Sequence, residues 1–192
     1  MQYNQFTSLD VGCGMHHRGT VNIDISAYGR PDIIADAQYL PFKDRTFDLI
    51  IAYDLIEHLD DDMKFICKAS RVLKDKGELR LVTPTSLSER FFVFLRRDWL
   101  SSLGHKRIYD YRALERLLAS QGFRIISCRY QGFIDFWVCL LLALLRMRVE
   151  QHCLHPRRHK WIMRFVFLKN LDMLWFPRRY EIIAQKTIEG NN

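Results

Sequence analysis

The sequence predicts an α/β protein with a doubly wound, mostly parallel, seven-stranded sheet. Short apolar segments bounded by Gly, Pro or Asp alternate with segments in which apolar residues recur every three or four positions. This alternation of strand and helix patterns is typical of β-α-β units, which build parallel sheets. The 192 residues, 48% of them apolar, are enough to bury a core without disulfides or a structural metal. We therefore expect a single domain over residues 1–192.

The first strand leads directly into the most informative turn of the chain. Residues 9–14 read Leu-Asp-Val-Gly-Cys-Gly, a short strand that ends in a turn with glycine at alternate positions. Because glycine has no Cβ, it can adopt a positive φ and let a ligand approach the main chain closely. The turn makes four residues candidates for binding a nucleotide-type cofactor, namely Asp10, Gly12, Cys13 and Gly14. A purely structural tight turn is the alternative.

The next three predicted strands each end close to a polar side chain. They cover residues 21–25, 33–37 and 47–53, and the side chains are those of Asp24, Asp36 and Tyr53. A carboxylate at the carboxyl end of a strand, after a glycine turn, suits a ribose diol, because it can accept hydrogen bonds from both hydroxyls. A solvated aspartate at a strand end, or a helix N-cap, is the alternative for both acids.

The following segments predict two helices and the remaining strands. Apolar residues at helical spacing predict a helix over residues 59–74, with acidic residues in its first turn and Gly77 as the stop. Asp110 is the predicted N-cap of a second helix, which Gly122 ends. The last three strands are predicted at residues 78–82, 123–127 and 180–184.

Two common phosphate-binding patterns are absent from the sequence. A dinucleotide fingerprint needs Gly-x-Gly-x-x-Gly, but the third glycine position counted from Gly12 is His17. No Gly-Lys-Ser/Thr follows any glycine, so there is no P-loop. The glycine turn therefore does not predict a nicotinamide, flavin or nucleoside-triphosphate site.

The motifs, in their order and spacing, resemble those of the class I S-adenosylmethionine-dependent methyltransferases of the small-molecule type. The matching segments read LDVGCG, D-x-x-x-LPF, FDLI and EHL, and the resemblance covers about residues 7–130 and the strand near 180–187. It implies a Rossmann-like methyltransferase fold with an antiparallel last strand and S-adenosyl-L-methionine as cofactor. It also implies that the glycine turn and Tyr53 lie along the methionine end, Asp24 at the ribose, and Asp36 with Ala37 at the adenine.

The first crossover is shorter than the resemblance implies. Only six residues separate Gly14 from Val21, where the family has a full helix, and Met15 stands in place of the third motif glycine. Parallel strands are usually joined by a dozen or more residues. We expect an abbreviated helix or a stretched loop at this connection.

Two histidines are candidate catalytic bases for an oxygen acceptor. His58 lies in the EHL motif, and His105 follows a glycine on the segment that lines the acceptor pocket in this fold. A capping or core histidine and a solvated loop histidine are the alternatives. We expect no metal site, because the histidine- and cysteine-rich segment 152–159 is interleaved with basic residues that oppose a cation.

The expected activity is methyl transfer to a small-molecule, lipid-linked or glycan acceptor. Residues 53–56 read Tyr-Asp-Leu-Ile, unlike the Asn/Asp-Pro-Pro-Tyr/Phe motif of amino-group base methylation, and we expect no nucleic-acid partner. A non-catalytic scaffold of the same fold is an alternative, motivated by the short crossover. An RNA methyltransferase is another, motivated only by the basic C-terminal quarter.

A helical insertion is predicted at about residues 131–177, before the last strand. Two apolar arms at 133–147 and 161–176 flank a basic link, and residues 146–192 carry 10 of the 29 basic but only 4 of the 22 acidic residues. Such a hairpin suits an anionic membrane surface, whereas an ordinary helical cap on the sheet is the alternative. Five cysteines without a Cys-x-x-Cys pair favour a cytoplasmic protein, peripheral at the membrane if the hairpin binds it.

Overall fold

The computed structural model describes residues 6–131 and 178–187. Seven strands form one sheet, and their bounds are β1 (Ser8–Val11), β2 (Val21–Asp24), β3 (Ile33–Ile34), β4 (Phe47–Tyr53), β5 (Leu73–Pro84), β6 (Phe123–Gln131) and β7 (Arg179–Lys186). The strand order is β3-β2-β1-β4-β5-β7-β6. The pairs on the β3 to β5 side are parallel, and β7 runs antiparallel to both of its neighbours. The predicted mostly parallel sheet with an antiparallel last strand is confirmed.

Among the described residues, four helices and three short 3-10 turns connect these strands. The helices are α1 (Asp62–Val72), α2 (Ser86–Leu95), α3 (Trp99–Leu103) and α4 (Tyr111–Ala119), and the 3-10 turns are Ala27–Gly29, Ala37–Tyr39 and Ile56–His58. Asp110 caps α4 as predicted, since its side chain accepts a hydrogen bond from Ala113 N at 2.7 Å. The hydrophobic core lies on the central strands, where every residue of β1 is buried. Fully buried residues of β4, β5 and α1 pack around β1, so the centre of the sheet is rigidly placed.

Helix α1 is shorter than the sequence predicts. It begins at Asp62, with Asp61 as the N-cap, and it ends at Val72 rather than near Gly77. Leu73 is fully buried, takes an extended conformation and pairs with Phe47 of β4. Strand pairing therefore ends the helix before the glycine is reached, and Gly77 lies inside β5.

Strand β3 is also shorter than predicted, whereas β6 and β7 are longer. The segment predicted as a strand over residues 33–37 leaves the sheet after Ile34, because Asp36 accepts a hydrogen bond from Gln38 N at 2.8 Å and starts a 3-10 turn. In contrast, β6 and β7 continue their antiparallel pairing to Gln131 and Arg179. Backbone pairing thus extends these two strands beyond their apolar residues.

The first crossover is a loop. Residues 12–20 contain turns but no helix, and polar contacts fold the loop back on β1. Asp10 Oδ2 accepts a hydrogen bond from Arg18 N at 3.0 Å, and Thr20 Oγ1 accepts one from Ser8 N at 2.8 Å. These contacts let nine residues join β1 to its parallel neighbour β2.

The predicted insertion, including both apolar arms and the basic link, lies outside the described residues apart from Gln131. Within residues 6–131 and 178–187, no helix has the length and apolar character needed to cross a membrane. The expected contact of the insertion with an anionic membrane stays a prediction.

Candidate functional site

The glycine turn after β1 has the backbone conformation that the sequence predicts. Gly12 has φ 70° and Gly14 has φ 50°, both in the left-handed region that favours glycine. The amides of Gly12 and Cys13 donate to Ile23 O at 2.9 and 3.0 Å, which fixes the turn to β2. A Cβ placed on Gly14 would meet no atom of the described residues within 4 Å. The turn is therefore held rigidly and is open at Gly14.

Asp24, at the end of β2, holds this turn with its carboxylate. Its Oδ2 accepts a hydrogen bond from Gly14 N at 2.9 Å, and its Oδ1 accepts one from Ser26 N at 2.8 Å. Each carboxylate oxygen can accept about two hydrogen bonds, so each keeps one lone pair for a ligand. Asp24 can thus organise the turn and accept from a diol at the same time.

Asp36 and Ala37 lie at the same end of the sheet as Asp24. Ala35 N donates to Asp24 O at 2.9 Å, which holds the segment after β3 against the end of β2. Asp36 caps the following 3-10 turn and also contacts the Gln38 amide group, as the N-cap alternative predicts. Ala37 is buried. The structure therefore shows a capping role for Asp36 and places it beside the candidate ribose site.

Asp10 and Tyr53 both lie against Arg18 of the crossover loop. Asp10 is fully buried, and Arg18 Nη1 lies 3.5 Å from its Oδ2, whereas its Oδ1 has no hydrogen-bond partner among the described residues. Burial raises the pKa of Asp10, and the hydrogen bonds and charge of Arg18 oppose that shift. The Arg18 guanidinium carbon is 4.8 Å from the centroid of the half-buried Tyr53 ring. Asp10 anchors the loop and keeps one unsatisfied acceptor next to the turn.

Cys13 lies between the two glycines of the turn and has a buried thiol. Its side chain is buried, and this burial raises the pKa of the thiol to about 11. We expect Cys13 to resist iodoacetamide at pH 8, because alkylation needs the thiolate. The exposed Cys67 serves as the internal control. Peptide mass spectrometry measures both residues in one sample, and labelling of Cys13 as fast as Cys67 would contradict the assigned burial.

The structure brings the two predicted catalytic histidines together. The rings of His58 and His105 lie edge to face with their centroids 4.8 Å apart. His58 Nδ1 is 3.1 Å from Gly104 O, and His105 Nδ1 is 3.2 Å from Glu89 Oε2. Their short separation results from the loop after α3, where Gly104 ends the helix at φ 73°. His58 and His105 thus belong to one polar cluster.

Two buried carboxyl groups complete this cluster. Glu57 is 1% exposed and Glu89 is 2% exposed. Thr83 Oγ1 donates to Glu57 Oε2 at 3.0 Å, and Glu57 Oε1 has no partner among the described residues. Sequence reasoning missed both acids as site residues. Glu57 was visible in the EHL motif, whereas nothing in the sequence signals that Glu89 of α2 faces inward.

Burial shifts the pKa values of Glu57 and His58 toward their neutral forms. Burial, together with the charge of Asp54, raises the pKa of Glu57 to about 8. Burial also lowers the pKa of His58, and the neighbouring His105 lowers it further. The nearby cations have other carboxylate partners, since Arg179 pairs with Asp54 at 3.3 Å and Lys106 pairs with Asp60. His58 is therefore expected to be a neutral imidazole near pH 7.

The histidine cluster and the glycine turn lie at neighbouring strand ends. Leu55 Cδ1 would be 2.9 Å from a Cβ on Gly12, so the segment after β4 packs directly over the turn. Glu57 follows two residues later and reaches Thr83 near the end of β5. In open α/β sheets, ligands bind in the crevice at the carboxyl ends of the strands. The two groups of residues therefore form adjacent parts of one candidate site.

Part of the chain matches a known protein family. Residues 5–81 match the family model described as a methyltransferase domain. A Mycobacterium tuberculosis protein named "Probable S-adenosylmethionine-dependent methyltransferase" is 31% identical over 99 residues, which are 51% of this chain and 35% of that protein. An uncharacterized Methanocaldococcus jannaschii protein is 34% identical over 91 residues, which are 40% of each chain. This chain thus spans well under half the length of these two relatives.

Solved structures share the whole described fold. The YcgJ protein from Bacillus subtilis superposes with a TM-score of 0.62 at 18% identity, covering 97% of this chain and 93% of that chain. An S-adenosylmethionine-dependent methyltransferase from Mesorhizobium loti gives a TM-score of 0.58 at 16% identity, covering 94% and 90%. At these identities the likeness shows the Rossmann-like methyltransferase fold that the sequence predicts.

The residues at the strand ends fit S-adenosyl-L-methionine, the cofactor that the sequence resemblance implies. The open space beside Gly14 and the spare lone pairs of Asp24 offer room and acceptors to a polar nucleoside. The motif order, the match over residues 5–81 and the fold agree. Residues 5–81 of this chain thus match a methyltransferase domain, on a fold that solved S-adenosylmethionine-dependent methyltransferases share.

Proposed function

We propose that this protein binds S-adenosyl-L-methionine at the ends of β1 and β2 and transfers its methyl group to a small-molecule, lipid-linked or glycan acceptor. The open glycine turn that Asp24 holds through Gly14 N is the observation that carries the proposal. The M. tuberculosis relative, whose name describes this activity, supports it.

Each part of the cofactor has a matching surface in the described residues. The Asp24 carboxylate accepts the ribose hydroxyls with its two remaining lone pairs. Ile25, which sequence reasoning did not single out, is 74% exposed beside Asp24. Its apolar surface suits the face of the adenine ring. Asp36 is the proposed acceptor for the amino group, since Ala35 N donates to Asp24 O and holds the neighbouring segment at the end of β2. The methionine end then passes along Gly14 toward Tyr53.

Methyl transfer requires mainly that the protein align the acceptor with the methyl group of the cofactor. The cofactor supplies an electrophilic methyl group, so the rate depends mainly on holding the acceptor in line with it. An oxygen acceptor must also lose a proton. A base role for His58 or His105 stays a prediction, and the partial burial of both rings beside the strand ends supports placing the acceptor there.

A non-catalytic role, or another reaction on the same fold, remains the alternative. The helix-free crossover at residues 12–20 motivates it. A solved [4+2]-cyclase also shares this fold, with a TM-score of 0.61 at 17% identity. Fold alone therefore does not prescribe methyl transfer.

An assay with methyl-labelled S-adenosyl-L-methionine distinguishes methyl transfer from a non-catalytic role. The full chain is incubated with lipid, quinone and glycan extracts, and with RNA for comparison. We expect label in one of the first three extracts, and its loss with Asp24→Ala. Label in RNA alone would overturn the proposed acceptor class. Cofactor binding without transfer to any extract would favour the scaffold.

A further inference from the structure

The two histidines of the cluster use the same ring nitrogen, Nδ1, for their hydrogen bonds within the protein. His58 Nδ1 faces the carbonyl oxygen of Gly104 at 3.1 Å, and His105 Nδ1 faces Glu89 Oε2 at 3.2 Å. A ring nitrogen that faces an oxygen acceptor carries a proton, so Nε2 is the nitrogen of each ring that is left to bind a metal. Histidines that bind metals are held in this way, with the second nitrogen donating to a carbonyl or carboxylate.

Glu57 supplies a third ligand atom at the same place. Its side chain is 1% exposed, and its Oε1 has no hydrogen-bond partner among the described residues. One ligand atom from each of Glu57, His58 and His105 can be chosen so that all three lie within 4.8 Å of one another. Zn²⁺ binds imidazole nitrogen and carboxylate oxygen at about 2.0–2.2 Å. The three atoms would have to move closer together to bind one ion, and Glu57 would release its proton on binding.

We propose that Glu57, His58 and His105 form a binding site for a divalent transition-metal ion, with Zn²⁺ as the best match to the ligands. Glu89 and the Gly104 carbonyl orient the two imidazoles. Three protein ligands leave a fourth position for water or for an oxygen of a substrate, as in sites that are not purely structural. This is a second ligand site, next to the glycine turn but built from other residues.

The sequence alone predicts no metal site, because the fold brings the proposed ligands together from distant parts of the chain. The sequence shows only one cluster of metal-binding residue types, at 152–159, which basic residues interrupt. The cluster proposed here joins the end of β4 to the loop after α3, which are far apart in the chain. Its neighbouring cations, Arg179 and Lys106, are paired with Asp54 and Asp60. The charges of these two cations are therefore largely balanced and do not oppose the binding of a metal ion.

Titration of the metal alone tests the proposal on the full chain. After treatment with a chelator, Zn²⁺ is added in a calorimeter and Co²⁺ is followed by its visible absorption. We expect one tight site, with Co²⁺ bands that report nitrogen and oxygen ligands. Glu57→Gln and His105→Gln should each lower Zn²⁺ affinity at least tenfold, and Glu89→Gln should lower it about ten- to a hundredfold.

The control variant removes the three histidines of segment 152–159, by His152→Ala, His155→Ala and His159→Ala together, and it should keep the wild-type affinity. Circular dichroism melting checks that each variant folds, and His58→Gln is the substitute if Glu57→Gln does not. No Zn²⁺ binding at micromolar metal would overturn the proposal. Binding that is lost in the control and unchanged in Glu57→Gln and His105→Gln would also overturn it.

Discussion

Asp24→Ala is expected to weaken binding of S-adenosylhomocysteine about ten- to a hundredfold. The substitution removes the acceptor for the ribose hydroxyls, and hydrogen bonds to a charged group contribute about 1.5–3 kcal/mol. It also releases Gly14 N, which donates to Asp24 Oδ2 at 2.9 Å, so the turn loses its support. Isothermal titration calorimetry of wild type and variant measures the change in Kd.

Two further variants separate these contributions. Asp24→Asn keeps one oxygen acceptor and the size of the side chain, so we expect a smaller loss of affinity. Asp75→Ala removes an aspartate near the start of β5, where it lies 3.7 Å from Arg45, and it should bind like wild type. Equal affinity in Asp24→Ala and Asp75→Ala would show that the ribose is held by other residues.

Trp99→Ala is expected to lower the free energy of unfolding by about 3–5 kcal/mol, the usual cost of truncating a buried aromatic side chain to alanine. Trp99 is fully buried in α3 and stacks on Phe92 of α2, with the ring centroids 4.4 Å apart and 20° between the planes. Because α2 carries Glu89 and α3 leads into His105, the substitution should also loosen the histidine cluster. Urea unfolding measures the loss.

The matched control for this substitution is Phe94→Ala. Phe94 lies in α2 and is 85% exposed, so its truncation should change the free energy of unfolding by at most about 0.5 kcal/mol. A loss in Trp99→Ala no larger than that in Phe94→Ala would show that the stacked pair does not stabilise the fold.

Strands buried on both sides were the easiest to predict from the sequence. The sequence predicts β4 with the bounds that it has, because Phe47–Tyr53 is a continuous apolar run apart from Asp48. The ends of α1 and β3, which are set by strand pairing and by capping, were not predicted correctly. The pairing of Leu73 with Phe47 ends α1 early, and the capping hydrogen bond of Asp36 ends β3 after two residues. The contact of Leu73 with Phe47 leaves no local signal in the sequence, whereas the capping role of Asp36 was one of the alternatives that the sequence offered.

The same distinction holds for the site. The glycine turn and Asp24 lie on consecutive strands, β1 and β2, joined by a short loop, so motif order was enough to place them together. The pairing of His105 with Glu89 depends on how α2 and α3 pack through Trp99 and Phe92. This packing is tertiary, so the sequence predicted the two histidines separately and did not predict Glu89.

Calorimetric titration of the full chain with S-adenosylhomocysteine tests the central claim most directly. We expect one site per chain and a matching rise in melting temperature, since a ligand at a hundred times its Kd stabilises the folded state by about 2.7 kcal/mol. Prior addition of Zn²⁺ should not abolish this binding, because the metal ligands are not the turn residues. No heat of binding and no shift in melting temperature at millimolar ligand would contradict the assignment of the glycine turn as a cofactor site.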